Sequence, residues 1–154
     1  MKQYPIWIFT LLALVVMNLQ IYKKEQILKD GQTVLLELAP VDPRSLMQGD
    51  YMRLRYGLAR QVKGKLGNKG KLVLKIDDQQ RGIFKRLADN TPLGENEQLL
   101  VYRNRDNLRL GAESYFFEEG QAKRFERAKY GELKVDATGQ SVLVGLRDEA
   151  LQIL

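Results

Sequence analysis

The chain opens on one long apolar run and then changes its period. Residues Pro5 to Tyr22, PIWIFTLLALVVMNLQIY, carry no charge and three clearly polar side chains, Thr10, Asn18 and Gln20. That run approaches the length that crosses a bilayer as a helix. Trp7 and Tyr22 stand near its ends, where amphipathic rings favour the membrane interface. Bulky Leu19, Ile21 and Tyr22 occupy the positions where a cleavable signal would carry small residues, so an uncleaved anchor is expected. KKEQILKDG then reads as a short helical stalk ending at Gly31.

Past Gly31 the pattern becomes that of strands. TVLLELA (33–39) is apolar and β-prone. YMRLRYGLARQV (51–62) sets Met52, Leu54, Tyr56 and Leu58 against Tyr51, Arg53, Arg55 and Gly57, the alternation of one half-buried strand with a charged outer face. KLVLKIDDQQRGIFKRL alternates Leu72, Leu74 and Ile76 before a polar turn ending at Gly82, which predicts a hairpin. LLVYR (99–103) and RLGAESYFF (109–117) are two further strands, and ELKVDATGQSVLVGL is a hairpin turning at Asp136 to Gly139. One helix interrupts them. In EEGQAKRFERAKYG, Ala122, Phe125 and Ala128 repeat at helical spacing, Glu118 and Glu119 open the segment, and Gly131 closes it. The expected fold is therefore all-β, a small barrel or sandwich with one short amphipathic helix, behind an N-terminal transmembrane helix. The chain divides into an anchor and stalk, 1–30, and a β-rich domain, 31–154.

Composition narrows the chemistry. A chain of 154 residues suffices for one domain with its own core. It contains no Cys and no His, which removes disulfides, thiol nucleophiles, the commonest metal ligand and every Ser-His-Asp arrangement. The net charge of +6 is dispersed, with Lys and Arg alternating with Asp and Glu through most of the chain, so a nucleic-acid partner is not expected. Charge does not fix the orientation of the anchor. Lys2 lies on one side and Lys23, Lys24 and Lys29 on the other; counted literally this favours a cytoplasmic domain, but long domains translocate largely regardless of such counts.

Three polar segments resolve into ordinary surface. KGKLGNKGK (63–71) lacks the Gly spacing and the Ser or Thr of a phosphate-binding loop; it reads as a solvated basic hairpin tip, with anionic head groups or an acidic partner as its functional alternative. DNTPLGENEQ (89–98) lacks the alternating oxygen ligands of a calcium loop. Glu118 and Glu119 fit the start of a helix better than acid–base chemistry. No metal and no cofactor are expected.

VDPRSLMQGDYMRLRY (41–56) is denser. Asp42 and Pro43 suit a cap and first helical position, so DPRSLM is expected to make one helical turn. Gly49 and Asp50 suit a tight turn. Turn architecture does not account for Arg44, Ser45, Asp50, Tyr51, Arg53 and Tyr56 sharing so short a stretch, and these six are the candidate binding residues, with Asp42, Pro43, Gly49, Asp50 and Leu54 as the structural frame. A Ser45 nucleophile with a lysine base is the enzymatic alternative. It lacks the Ser-Met-x-Pro order of leader-peptide proteases and a lysine at catalytic spacing, so no enzyme is expected.

GDYMRLRY carries a resemblance. Gly49, Asp50, Tyr51, Leu54 and Tyr56 match every fixed position of the motif that names the GDYXXLXY family, a bacterial family of uncharacterised membrane-anchored proteins. VLLELAPVDPRSLMQGDY and YFFEEGQAKRFERAKYGELKVDATGQSVLVGLRDE extend the similarity over nearly the whole chain. The resemblance implies a single-pass inner-membrane protein anchored through residues 5–22, with a periplasmic domain and a multi-pass membrane protein as partner. It implies no reaction. An accessory domain docking through 42–56 is thus expected, with a periplasmic ligand- or glycan-binding module using Tyr51, Tyr56 and Arg53 or Arg55 as the runner-up.

Overall fold

The computed structural model describes residues 4–39, 47–48, 51–62, 66–105, 107–111 and 113–154. Helix α1 runs unbroken from Tyr4 to Asp30, so anchor and stalk are one element. Its side chains from Ile6 to Tyr22 are exposed, and residues Ile6–Asp30 make a helix long and apolar enough to cross a membrane. Its last turns do something different. Ile27 is buried, Lys24 Nζ donates to the Ser141 carbonyl at 3.3 Å, and the Gly31 N–H returns to the Ile27 carbonyl at 2.9 Å. A Cβ at Gly31 would lie 2.3 Å from that carbonyl oxygen and 3.1 Å from the Val135 nitrogen. Glycine is therefore the residue that lets the helix end press against the sheet.

Among the described residues ten strands follow: β1 (Gln32–Glu37), β2 (Met47–Gln48), β3 (Tyr51–Arg53), β4 (Lys69–Ile76), β5 (Gly82–Leu87), β6 (Glu97–Asn104), β7 (Leu108–Arg109), β8 (Ser114–Phe116), β9 (Tyr130–Val135) and β10 (Ser141–Arg147). They form three antiparallel sheets, ordered β1-β9-β10, β2-β3-β8 and β5-β4-β6-β7. The all-β architecture with an N-terminal helix is as the periodicity predicts. Apolar faces of all three sheets meet in one core that includes Val34, Leu36, Met52, Leu72, Leu74, Leu100, Leu133 and Leu146. Backbone seams join the sheets around it: the Leu35 N–H donates to the Gln80 carbonyl at 2.8 Å, Val101 to Gly139 at 2.9 Å, and Ala39 to Arg55 at 2.6 Å.

Both expected hairpins form. In the β4–β5 turn, Asp77 Oδ1 accepts the Gln79 and Arg81 N–H groups at 2.9 and 2.8 Å. In the β9–β10 turn, Asp136 Oδ1 accepts from the Thr138 N–H, the Thr138 hydroxyl and the Gln140 N–H. A carboxylate that replaces missing turn partners for several amides fixes such a loop locally.

Elsewhere tertiary contacts override the pattern. Residues 51–62 are not one strand. β3 ends at Arg53, Tyr56 makes a bridge to Leu38, and α2 (Leu58–Gln61) begins one residue after Gly57. The alternation of burial survives, with Met52, Leu54, Tyr56 and Leu58 all in the core. Residues 109–117 split between β7 and β8, which belong to different sheets, because Glu113 Oε1 accepts the Leu110 and Gly111 N–H groups and turns the chain. The amphipathic helix shrinks to α3 (Ala122–Phe125). Gly131 does not close it; it lies within β9 between Leu36 and Leu146. Glu118 and Glu119 do not cap it either, since its N-cap is Gln121, which makes no side-chain cap bond. Finally, Lys69 to Lys71 are not a hairpin tip but the start of β4, paired with Val101 to Arg103.

Candidate functional site

Tyr51 to Tyr56 of the GDYMRLRY segment connect two of the sheets. Tyr51 to Arg53 run beside β8 in register, with Tyr51 opposite Phe116, Met52 opposite Tyr115 and Arg53 opposite Ser114. Successive side chains of a strand point to opposite faces. Met52 is buried, while Arg53 is exposed and Tyr51 half-buried. On the outer face the rings of Tyr51 and Phe116 sit 5.7 Å apart, tilted by 37°, an ordinary aromatic pairing distance. Phe116 is 75% exposed. On the inner side Tyr115 and Phe117 close on Phe125 of α3, both at 5.2 Å.

The second half of the segment turns inward. Leu54 and Tyr56 are core residues, Tyr56 only 5% exposed. The backbone of 55–57 runs against the end of β1, through the Ala39-to-Arg55 bond and a Gly57-to-Glu37 bond at 2.9 Å. The Tyr56 ring covers Gly131 of β9: a Cβ there would meet Tyr56 Cε1 at 3.1 Å and Oη at 3.3 Å. Burial, and then the nearby Glu113 carboxylate, push the Tyr56 phenol far above its ordinary value, so it stays protonated at neutral pH.

The predicted site residues therefore separate. Tyr51 and Arg53 share an outer face. Tyr56 belongs to the core and is not available to a surface ligand. Leu54 is a structural residue, as its apolar character predicts. Asp42, Pro43, Arg44, Ser45, Gly49 and Asp50 lie outside the described residues, as do positions 42–46 of the expected helical turn and 63–65 of the basic loop; Met47, expected to end that turn, instead begins β2 opposite Met52. Sequence reasoning missed Phe116, an exposed aromatic on that outer face. Its signal was the doubled aromatic Phe116-Phe117, in which only one ring can face the core of a strand.

The polar loops are occupied by their own partners. Glu97, its side chain 4% exposed, pairs with Lys85 at 2.5 Å and Arg86 at 3.4 Å and accepts the Gly94 N–H at 3.0 Å. The Lys85 bond, then the Gly94 amide, hold its carboxyl below the usual range. Asp89 is lowered by the Thr91 N–H and, less, by Arg86. Between β1 and β5 a cavity of about 210 Å³ is lined by Leu36, Leu58, Gln61, Arg81, Ile83 and Tyr130. None of the described site residues, Tyr51, Arg53, Leu54 and Tyr56, lines it.

The sequence pattern of GDYXXLXY proteins matches residues 13–146, from within the apolar helix to the penultimate residue of β10. The chain belongs to that family. The two tyrosines of its naming motif have distinct surroundings, since Tyr51 is half-buried against exposed Phe116 and Tyr56 is in the core. No curated protein and no solved structure matches the chain.

Proposed function

We propose that this GDYXXLXY protein is a membrane-anchored, non-enzymatic accessory subunit. In this reading α1 holds the β domain at the periplasmic face of a bacterial inner membrane, and the 42–56 segment docks on a multi-pass membrane protein. The observation that carries the docking reading is the outer face of β3 and β8, where Phe116 stands exposed against motif residue Tyr51 beside exposed Arg53. Aromatic and Arg side chains are the groups enriched at the centres of interfaces. The absence of His and Cys from the sequence supports a non-catalytic role. The glycan-binding alternative loses Tyr56 to the core.

Affinity recovery of the full-length protein from native membranes in mild detergent tests the docking. One multi-pass protein should co-purify with the wild type, and Tyr51→Ala with Arg53→Ala should reduce its recovery at unchanged thermal stability. Unchanged recovery would overturn the docking face. A reporter active only in the periplasm, fused after Leu154, should be active, and a cytoplasmic readout would overturn the orientation. Labelling by a serine-reactive probe that is lost in Ser45→Ala would replace the accessory reading with a hydrolase.

A further inference from the structure

Among the described residues, β8 ends its sheet with an unpaired edge. The Leu54 N–H donates to the Glu113 carbonyl at 2.8 Å, and Met52 lies opposite Tyr115. In an antiparallel ladder, hydrogen-bonded pairs alternate with non-bonded ones. Glu113 and Tyr115 thus turn their backbone groups toward β3, whereas Ser114 and Phe116 turn theirs away. No described residue pairs with the outward backbone of Ser114 or Phe116, and both residues are exposed.

Soluble domains blunt such edges with Lys, Pro, bulges or a covering segment. Three of the other edges follow that rule. β5 carries Lys85 and Arg86, β7 is two residues long with Arg109, and β10 has a bulge after Leu143 and α1 against its start. β8, Ser114-Tyr115-Phe116, carries no charge and no Pro. Beside it, Arg53 and Arg55 are exposed and make no ion pair among the described residues.

We propose that β8 receives an extended, acidic segment of the docked partner as a fourth strand of the β2-β3-β8 sheet. This rests on the docking reading above and specifies its contact. The added strand bonds to the N–H and C=O groups of Ser114 and Phe116, up to four main-chain bonds. Side chains of a strand repeat on one face every second residue. The incoming segment therefore sets an apolar side chain beside Phe116 and, two residues along, a carboxylate beside Ser114 and Arg53. That charge requirement favours a different protein over a second copy, whose own β8 would bring Ser, Tyr and Phe to the same positions and no carboxylate.

Ser114→Pro is the discriminating variant. It removes an N–H that bonds to no described residue, at an edge position where Pro is tolerated; Tyr115→Pro removes one that faces Met52 and should destabilise the domain. In native membranes, a photocrosslinking benzoylphenylalanine in place of Phe116 should trap one heterologous protein. Ser114→Pro should abolish that crosslink and cut partner recovery at least tenfold, with thermal unfolding of the detergent-purified protein little changed. As a measurement independent of any variant, exchange of the outward Ser114 and Phe116 amides should be slow in native membranes and fast after purification. Equal exchange in the two would overturn the proposal. Retained recovery in Ser114→Pro, with loss in Arg53→Ala, would leave docking standing and remove strand addition. No loss in either would remove the docking reading itself, and a crosslink only between two copies would replace the partner with self-association.

Discussion

Tyr56 and Gly131 form a single packing unit made from two distant residues. Because a Cβ at 131 would sit 3.1 Å from the Tyr56 ring, Gly131→Ala should cost about 1–3 kcal/mol through overpacking, read as a lower urea midpoint at unchanged m-value. The buried phenol also sets an alkaline limit. Its folded pKa is raised, by burial first and by Glu113 second, so the folded state keeps a proton that the unfolded chain releases near pH 10. Stability contributed this way is complete below about pH 10 and falls above it, by about 1.4 kcal/mol per pH unit for one proton. Tyr56→Phe should flatten the decline between pH 10 and 11 by that one-proton slope, measured as unfolding free energy in detergent; an unchanged slope would contradict the burial of the phenol. The inward positions Met52, Leu54 and Leu58 were legible because alternation depends only on neighbours in sequence, whereas Tyr56 carried both that alternation and a place among the candidate binding residues, and only its packing on Gly131 decides for the core. Gly131, which its local pattern presents as a helix terminator, was not legible, because its need for a missing side chain arises only when Tyr56 arrives from another part of the chain.

Elements held by local chemistry follow their sequence signals, and those held by distant contacts do not. The two hairpins were readable because Asp77 and Asp136 gather turn amides within four residues of themselves. The division of 109–117 between two sheets was hidden in a single side chain, Glu113, whose reach back to two amides no periodicity records. For Asp77 and Asp136 burial alone would raise the carboxyl, but the donated hydrogen bonds outweigh it and hold both below the usual range; Asp89 and Glu97 are lowered as well. A depressed folded pKa stabilises above the unfolded value. The domain should therefore keep this contribution above the ordinary carboxylate range near pH 4 and lose it as pH falls through and below that range. Asp136→Ala should cost about 1 kcal/mol at pH 7, and its deficit relative to wild type should shrink as the medium approaches pH 3, as unfolding series at the two pH values would show.

For the whole molecule the decisive junction is at Gly31. Gly31→Ala inserts a methyl 2.3 Å from the Ile27 carbonyl oxygen, a backbone contact that cannot yield without moving the helix. Amide exchange should accelerate from Lys24 to Gln32 while the β4–β6 core stays protected; uniform protection would show that the helix end is not seated as described. The sequence announced both the apolar run and the stop at Gly31, but not that the stop is a joint. If α1 lies in a bilayer, Lys24, Ile27 and Gly31 make it a splint and not a leash. A leashed domain wanders over a hemisphere, whereas a splinted one is carried. With helix tilts averaging about 20°, the far side of a domain roughly 35 Å across swings through roughly 12 Å each time the helix leans from upright. Any change in bilayer thickness that alters the lean then becomes a sideways displacement of the β8 edge, and the lipid itself gains a say in which neighbours that edge can reach.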